Sequence, residues 1–148
     1  FYDEAGTGPE TIVFAHGLVF SGRMFDEQVS ALKDRYRCIT FDFRGQGQSQ
    51  VTPDGYDMDS LCEDAAQLIE RLDCAPCHFL GFSMGGFVAI RLALRRPELV
   101  KSLILADTSA DPEPKRNLRK YRLLNLIARR VGPFAVARHV MPMMFSQK

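Results

Sequence analysis

Two rhythms of apolar residues alternate along the first part of the chain. Thr11-Ile-Val-Phe-Ala15 is an almost unbroken apolar run of strand formers, the pattern of a central strand covered on both faces. Residues 22–33 then place Phe25, Val29 and Leu32 at i, i+4 and i+7, which is one face of a helix. Residues 37–42 read as the next strand, and a polar, glycine-rich loop follows to about Gly55. Over residues 58–72, Leu61, Ala65, Leu68 and Leu72 share one helical side, with Asp57 or Asp59 suited to cap it. Cys77-His-Phe-Leu-Gly-Phe82 is a strand that runs directly into Ser83. Residues 84–96 read as a helix ending before Pro97, and Lys101–Asp107 as a further strand. Residues 1–8 read as the end of a strand and a turn.

Regular alternation of strand and helix predicts an α/β fold with a parallel sheet, and every crossover is long enough for the right-handed connection such sheets require. The rhythm changes at Asp111-Pro-Glu-Pro114. Beyond it Leu118, Tyr121, Leu124, Ile127, Ala128 and Val131 recur at helical spacing until Gly132-Pro133. A second helical face follows, with Phe134, Ala137, Val140, Met141 and Met144. No strand pattern follows residue 107. The expected organisation is therefore an α/β core over 1–111 and a helical segment over 112–148.

Composition changes this picture little, but charge placement adds to it. The 148 residues are 46% hydrophobic and 25% charged, the balance of an ordinary globular protein, and net charge is +1. From residue 112 onward nine Lys/Arg face a single acid, Glu113, so the acids crowd into the first 111 residues. A basic tail of this kind either binds nucleic acid or an anionic membrane, or is the solvated side of a helical segment, and the amphipathic faces favour the second. Neither nucleic acid nor membrane is expected as a partner. Cys74-Ala-Pro-Cys77 has redox or metal spacing, yet no second pair follows at a zinc-site distance, so no metal is expected. Four cysteines and no secretory pattern suit a reducing, cytoplasmic setting.

Chemistry concentrates in three places. Gly81-Phe82-Ser83-Met84-Gly85 is a G-x-S-x-G pattern, here between a predicted strand and a predicted helix. Small residues two positions either side of a serine let a sharp strand-to-helix turn close, and the helix N-terminus beneath it favours negative charge. Ser83 is the candidate nucleophile; a plain helix-capping serine is the alternative. Second, Phe14-Ala-His16-Gly17-Leu18 follows a buried strand. An amide from this loop, assigned to Leu18, pairs with the amide of Met84 as a two-donor oxyanion hole. His16 precedes the nucleophile and is read as structural. Third, Asp42-Phe-Arg44-Gly45-Gln-Gly47-Gln-Ser49 is a glycine-rich turn without the Lys-Ser/Thr ending of a phosphate loop, so Asp42 and Arg44 are expected to brace loops. Phe20, Phe25 and Met84 are candidates, by position alone, to line an acyl pocket.

Together the His-Gly loop, the D-x-R-G-x-G-x-S run and the elbow, in this order and at these separations, resemble the α/β-hydrolase superfamily, in its branch of enol-lactonases, cofactor-free haloperoxidase-like esterases and carbon–carbon bond hydrolases. The resemblance covers nearly the whole chain. It implies a serine hydrolase that takes a small ester, lactone or related acyl substrate through an acyl-enzyme, with no cofactor, and a helical cap over 112–148. It also implies a triad order of serine, acid, histidine. Asp107, at the end of the last predicted strand, is a candidate acid. His139 would complete the order but falls in a predicted cap helix, and His78 opens the strand at the far end from Ser83.

The expectation is therefore an N-terminal portion of a longer enzyme, nearly inactive alone because a serine without its base is a poor nucleophile. A true half-protein would expose Leu103–Leu105 as an apolar edge and would need a homo-oligomer or strand exchange to hide it. A third reading keeps the fold but not the turnover: a ligand-binding protein on the same scaffold.

Overall fold

A computed structural model describes residues 1–111, 122–123, 126–127 and 130–132. Five strands, β1 (Tyr2–Ala5), β2 (Thr11–Ala15), β3 (Arg37–Phe41), β4 (Cys77–Phe82) and β5 (Val100–Ala106), form one sheet in the order β1-β3-β2-β4-β5. All neighbours are parallel except β1, which pairs antiparallel with β3 at one edge. Three helices connect them: α1 (Asp26–Leu32), α2 (Met58–Arg71) and α3 (Met84–Arg95).

The apolar run of β2 explains why it is central. Its five residues are all buried, and their alternation divides them between two cores. Ile12 and Phe14 join Cys38, Phe25, Val29 and Leu32 on the α1 side. Val13 and Ala15 join Ile39, Phe79, Leu61, Ala65, Ile69, Val88 and Leu92 on the side of α2 and α3. Asp57 caps α2, accepting the amides of Asp59 and Ser60 at 3.0 Å each. The helix expected over 22–33 begins as a 3-10 turn, Gly22–Phe25, before α1. All four cysteines are buried free thiols.

On β5, Ile104 and Leu105 are exposed. Backbone contacts divide the chain into Phe1–Ala110 and Asp111–Lys148. In the second unit residues 122–123, 126–127 and 130–131 are helical and Gly132 has φ 96°. The remaining expectations for 112–148, His139 and the second helix included, lie outside the described residues. Among the described residues no helix is long and apolar enough to cross a membrane.

The strand order places the site. From β2 the chain moves to β3 on one side; from β4 it moves to β5 on the other. The carboxyl ends of β2 and β4, which are neighbours, are thus a point where connections diverge, and ligands of open α/β sheets bind at such a crevice. The loop from His16 and the turn at Ser83 begin there.

Candidate active site

Ser83 links β4 to α3 with φ 51° and ψ −110°. A positive φ on a residue with a Cβ costs on the order of 1–3 kcal/mol and persists only where surrounding structure enforces it. Here the backbone of Ser83 is held on both sides. Its amide donates to the Ala106 carbonyl on β5 at 2.9 Å, and its carbonyl accepts Gly86 N at 3.0 Å and the Thr108 hydroxyl at 2.9 Å. Although Ser83 stands at the cap position of α3, its side chain makes no cap hydrogen bond. The hydroxyl is therefore not occupied as a helix cap, which removes the alternative of a plain capping serine.

Close packing around this turn requires its glycines. A Cβ on Gly85 would overlap the Ala15 carbonyl oxygen and stand 2.6 Å from its carbon and 2.9 Å from the His16 oxygen. One on Gly81 would stand 2.6 Å from Gly86 N. The start of α3 thus lies directly against the end of β2, and Met84, buried, opens the helix. First-turn amides of a helix have no carbonyl partner within it, and the dipole there favours negative charge.

The loop after β2 reaches the same place. A Cβ on Gly17 would come 3.4 Å from Ser83 Cβ and 3.0 Å from the Phe82 ring. Gly17–Phe20 closes as a turn through Phe20 N to Gly17 O at 3.2 Å, with Val19, the third residue, at φ 63°. Positive φ at the third position alone is the signature of a type II turn, which favours glycine there; valine is a strained occupant. The amide of Leu18 takes no partner among the described residues, while that of Val19 donates to Gln46 Oε1 at 2.7 Å. Leu18 itself is exposed.

His16 and Asp42 weld this loop to the one after β3. His16 is fully buried. Its Nδ1 lies 2.7 Å from the Gly17 carbonyl and its Nε2 accepts Phe43 N at 3.0 Å. A carbonyl only accepts, so Nδ1 carries the proton and Nε2 the lone pair. Burial pushes its pKa down, against the opposing effects of the Gly17 hydrogen bond and the Asp42 charge. Although Asp42 Oδ1 lies 4.0 Å from Nε2, that nitrogen's lone pair serves Phe43, so the ring is neutral and the contact is no ion pair. Both nitrogens being engaged, His16 has no lone pair for catalysis. Asp42, also buried, accepts Gly22 N at 2.6 Å and Gln48 N at 2.7 Å. Arg44 ties the loop after β3 to α2 through a two-pronged pair with Asp64 at 2.6 and 2.5 Å.

The candidate pocket residues part company. Phe20 sets its ring 6.0 Å from Phe82, edge to face, and lines a cleft of about 320 Å³ with Leu18, Val19, Gln46 and Tyr56. Ser83 is not among the lining residues of that cleft. Phe25, expected from its position to face an acyl group, is instead buried with its ring 5.3 Å from Phe14. The 3-10 turn at 22–25 rotates it under the sheet, into the core with β2. Asp107 is exposed, with φ 47°, one residue beyond the carbonyl that accepts Ser83 N. His78 is the second residue of β4, five residues before Ser83, roughly 16 Å away along an extended strand. Its Nδ1 meets Ser102 Oγ at 2.7 Å. The roles of Thr108 and Gln46 were invisible to sequence reasoning: Gln46 fills an unspecified position of the 42–49 run, and each acts on a backbone atom 25 or 27 residues away.

A strained serine between strand and helix, at the switch point of a parallel sheet and facing a His-Gly loop, defines an α/β-hydrolase fold. Residues 10–140 match the alpha/beta hydrolase fold family, and the chain belongs to it. Among solved structures, it is similar to a thermophilic esterase from Thermogutta terrifontis (TM-score 0.88, 32% identity, 96% of this chain and 52% of that one). It is also similar to the enol-lactonase from Burkholderia xenovorans LB400 (TM-score 0.88, 28% identity, 96% and 55%). A Mycobacterium tuberculosis relative provisionally named a non-heme bromoperoxidase, BpoC, is 44% identical over 109 residues, covering 72% of this chain and 41% of that protein. The chain spans about half the length of the relatives it matches.

Proposed function

We propose that the protein is a serine hydrolase of a small ester, lactone or related acyl substrate, with Ser83 as nucleophile. The observation that carries this reading is the Ser83 backbone, held at φ 51° by hydrogen bonds to Ala106, Gly86, Phe87 and Thr108 while its side chain caps nothing. In the reaction Ser83 Oγ attacks the carbonyl carbon, a general base takes its proton, and the carbonyl oxygen becomes an oxyanion held by the amides of Leu18 and Met84. Collapse of this intermediate breaks the bond to the leaving alcohol, which takes the proton from the base; water, giving a proton to the same base, then cleaves the acyl-enzyme and Ser83 recovers its proton. Similarity to an esterase and an enol-lactonase supports the substrate class.

Asp107 is the candidate acid, since it directly follows Ala106, whose carbonyl accepts the Ser83 amide. The base is neither His16, whose nitrogens are both engaged, nor His78, at the other end of β4. The segment 112–148 is proposed as a helical cap, and the buried free thiols support a reducing, cytoplasmic setting.

The test is Ser83→Ala in the full-length protein, assayed on a p-nitrophenyl ester. Turnover should fall by at least about 10³-fold. A fluorophosphonate should label Ser83 in the wild type, because only an activated serine reacts; failure to label, with a folded protein, would favour the ligand-binding reading. The 148-residue chain alone should show little turnover.

A further inference from the structure

The turn at Gly17–Phe20 carries an amide that the proposed reaction needs, and its third residue is poorly suited to that conformation. Val19 sits at φ 63°, where a β-branched side chain is disfavoured. The closing bond of the turn, Phe20 N to Gly17 O, is common to type I and type II turns and does not by itself select this φ. The restraint comes from the neighbouring loop: Gln46 Oε1 accepts Val19 N at 2.7 Å. Gln46 is itself well placed to hold on. Its amide donates to the Phe43 carbonyl at 3.0 Å and its carbonyl accepts Ser49 N at 3.0 Å. That loop is clamped in turn by the Asp42 carboxylate on Gln48 N and by the Ser49 hydroxyl on Asp42 O at 2.6 Å.

We propose that Gln46 is a positioning residue for the oxyanion hole: its side-chain oxygen fixes the peptide between Leu18 and Val19, and so aims the Leu18 amide at the space above Ser83. Without this acceptor, valine's own preference draws φ of residue 19 to negative values. The central peptide of the turn then rotates, and the donor next to it moves off its aim. A shift of about 1 Å in a catalytic group is enough for a loss of about 100-fold. Gln46 does not reach the reacting atoms; it acts only through the turn. The inference rests on the reading of Ser83 as nucleophile and names the residue that sets the geometry of its partner.

In the full-length protein, Gln46→Met keeps side-chain length and removes the acceptor. Turnover number for p-nitrophenyl acetate should fall about 10- to 100-fold with KM within about twofold, since the amide acts in the transition state rather than the ground state. Inhibition by an aryl trifluoromethyl ketone, which forms a tetrahedral adduct on the serine, should weaken by a similar factor. In a Val19→Gly background, where positive φ carries no penalty, the same Gln46→Met change should lower turnover much less; this coupling is what a merely structural tie would lack. Gln46→Glu retains an oxygen at that point and should keep more activity than Gln46→Met; it serves as the second variant if methionine impairs folding. Wild-type turnover in Gln46→Met, or an equal loss in both backgrounds with a matching fall in Tm, overturns the proposal. Ser83→Ala measured alongside separates the two claims. Surviving turnover there removes the nucleophile and this inference with it; abolished turnover there, with Gln46→Met unaffected, removes the inference alone.

Discussion

Replacing Asp42 tests how the two loops of the site are joined. Its two carboxylate oxygens serve different loops: Oδ1 accepts Gly22 N at 2.6 Å and Oδ2 accepts Gln48 N at 2.7 Å. Hydrogen bonds to a charged group are each worth about 1.5–3 kcal/mol, so Asp42→Ala removes about 3–6 kcal/mol at most. The two bonds are not equal. That to Gly22 is buried, and its amide is left without a partner; that to Gln48 is only part-buried, and water replaces it in part. The expected loss is therefore about 3–4 kcal/mol, most of it from Gly22. By contrast, Arg44 and Asp64 are both partly exposed, and such a pair contributes about 1 kcal/mol or less. Asp42→Asn has nearly the same shape but only one acceptor oxygen, so one backbone amide meets an NH₂ group. About 1.5–3 kcal/mol should go. Urea denaturation of the full-length protein measures both. With a slope of about 1–3 kcal/mol per molar, the alanine variant should shift its midpoint by at least about 1 M. Ester turnover should drop as well, because the loop from 16 to 22 is then free of its clamp. An Asp42→Ala protein within about 0.5 kcal/mol of wild type would refute the reasoning.

Gly85→Ala should destabilise by roughly 3 kcal/mol or more, because the new methyl meets the backbone of β2, which cannot yield as a side chain would; a thermal melt within a degree of wild type would contradict the packing described. For His16, whose pKa is lowered by burial, the neutral ring is the folded form. Its contribution to stability is complete above the unfolded pKa of about 6.5 and is lost as pH falls below it, since the unfolded chain then binds the extra proton. The NMR signal of its Cε1 proton should stay at the neutral position down through pH 6.5; a titration centred there or higher would show the ring free to protonate.

Much of the fold was legible because its signals are local. A nearly unbroken apolar run, buried on both faces, made Thr11–Ala15 a central strand, and Asp57 stood where a cap was needed. Ser83 was legible for a similar reason: glycines at 81 and 85 act within one turn of the chain. Phe25 was not. Its helical spacing with Val29 and Leu32 was right, yet which surface that face met depended on the sheet, and the ring went beneath β2 rather than toward the serine. His16 shows the intermediate case. Its place in the motif suggested a structural role, while the partners that give it that role, Gly17 O and Phe43 N, emerge only when β2 and β3 lie side by side.

By itself the sequence determined the kinds of element, their order, and the one bend where a serine leaves a strand for a helix, since hydrophobic period and turn chemistry act over a few residues. Only the tertiary structure decided which groups hold that bend and the loop facing it: the Thr108 hydroxyl on Ser83 O, the Ala106 carbonyl on Ser83 N, Gln46 on Val19. The physical reason is that the backbone group in each of these bonds is the same at every residue, so nothing at Ser83 or Val19 specifies its distant partner. Partners more than twenty residues apart in the chain are chosen by strand order, and strand order β1-β3-β2-β4-β5 is a property of the packed sheet.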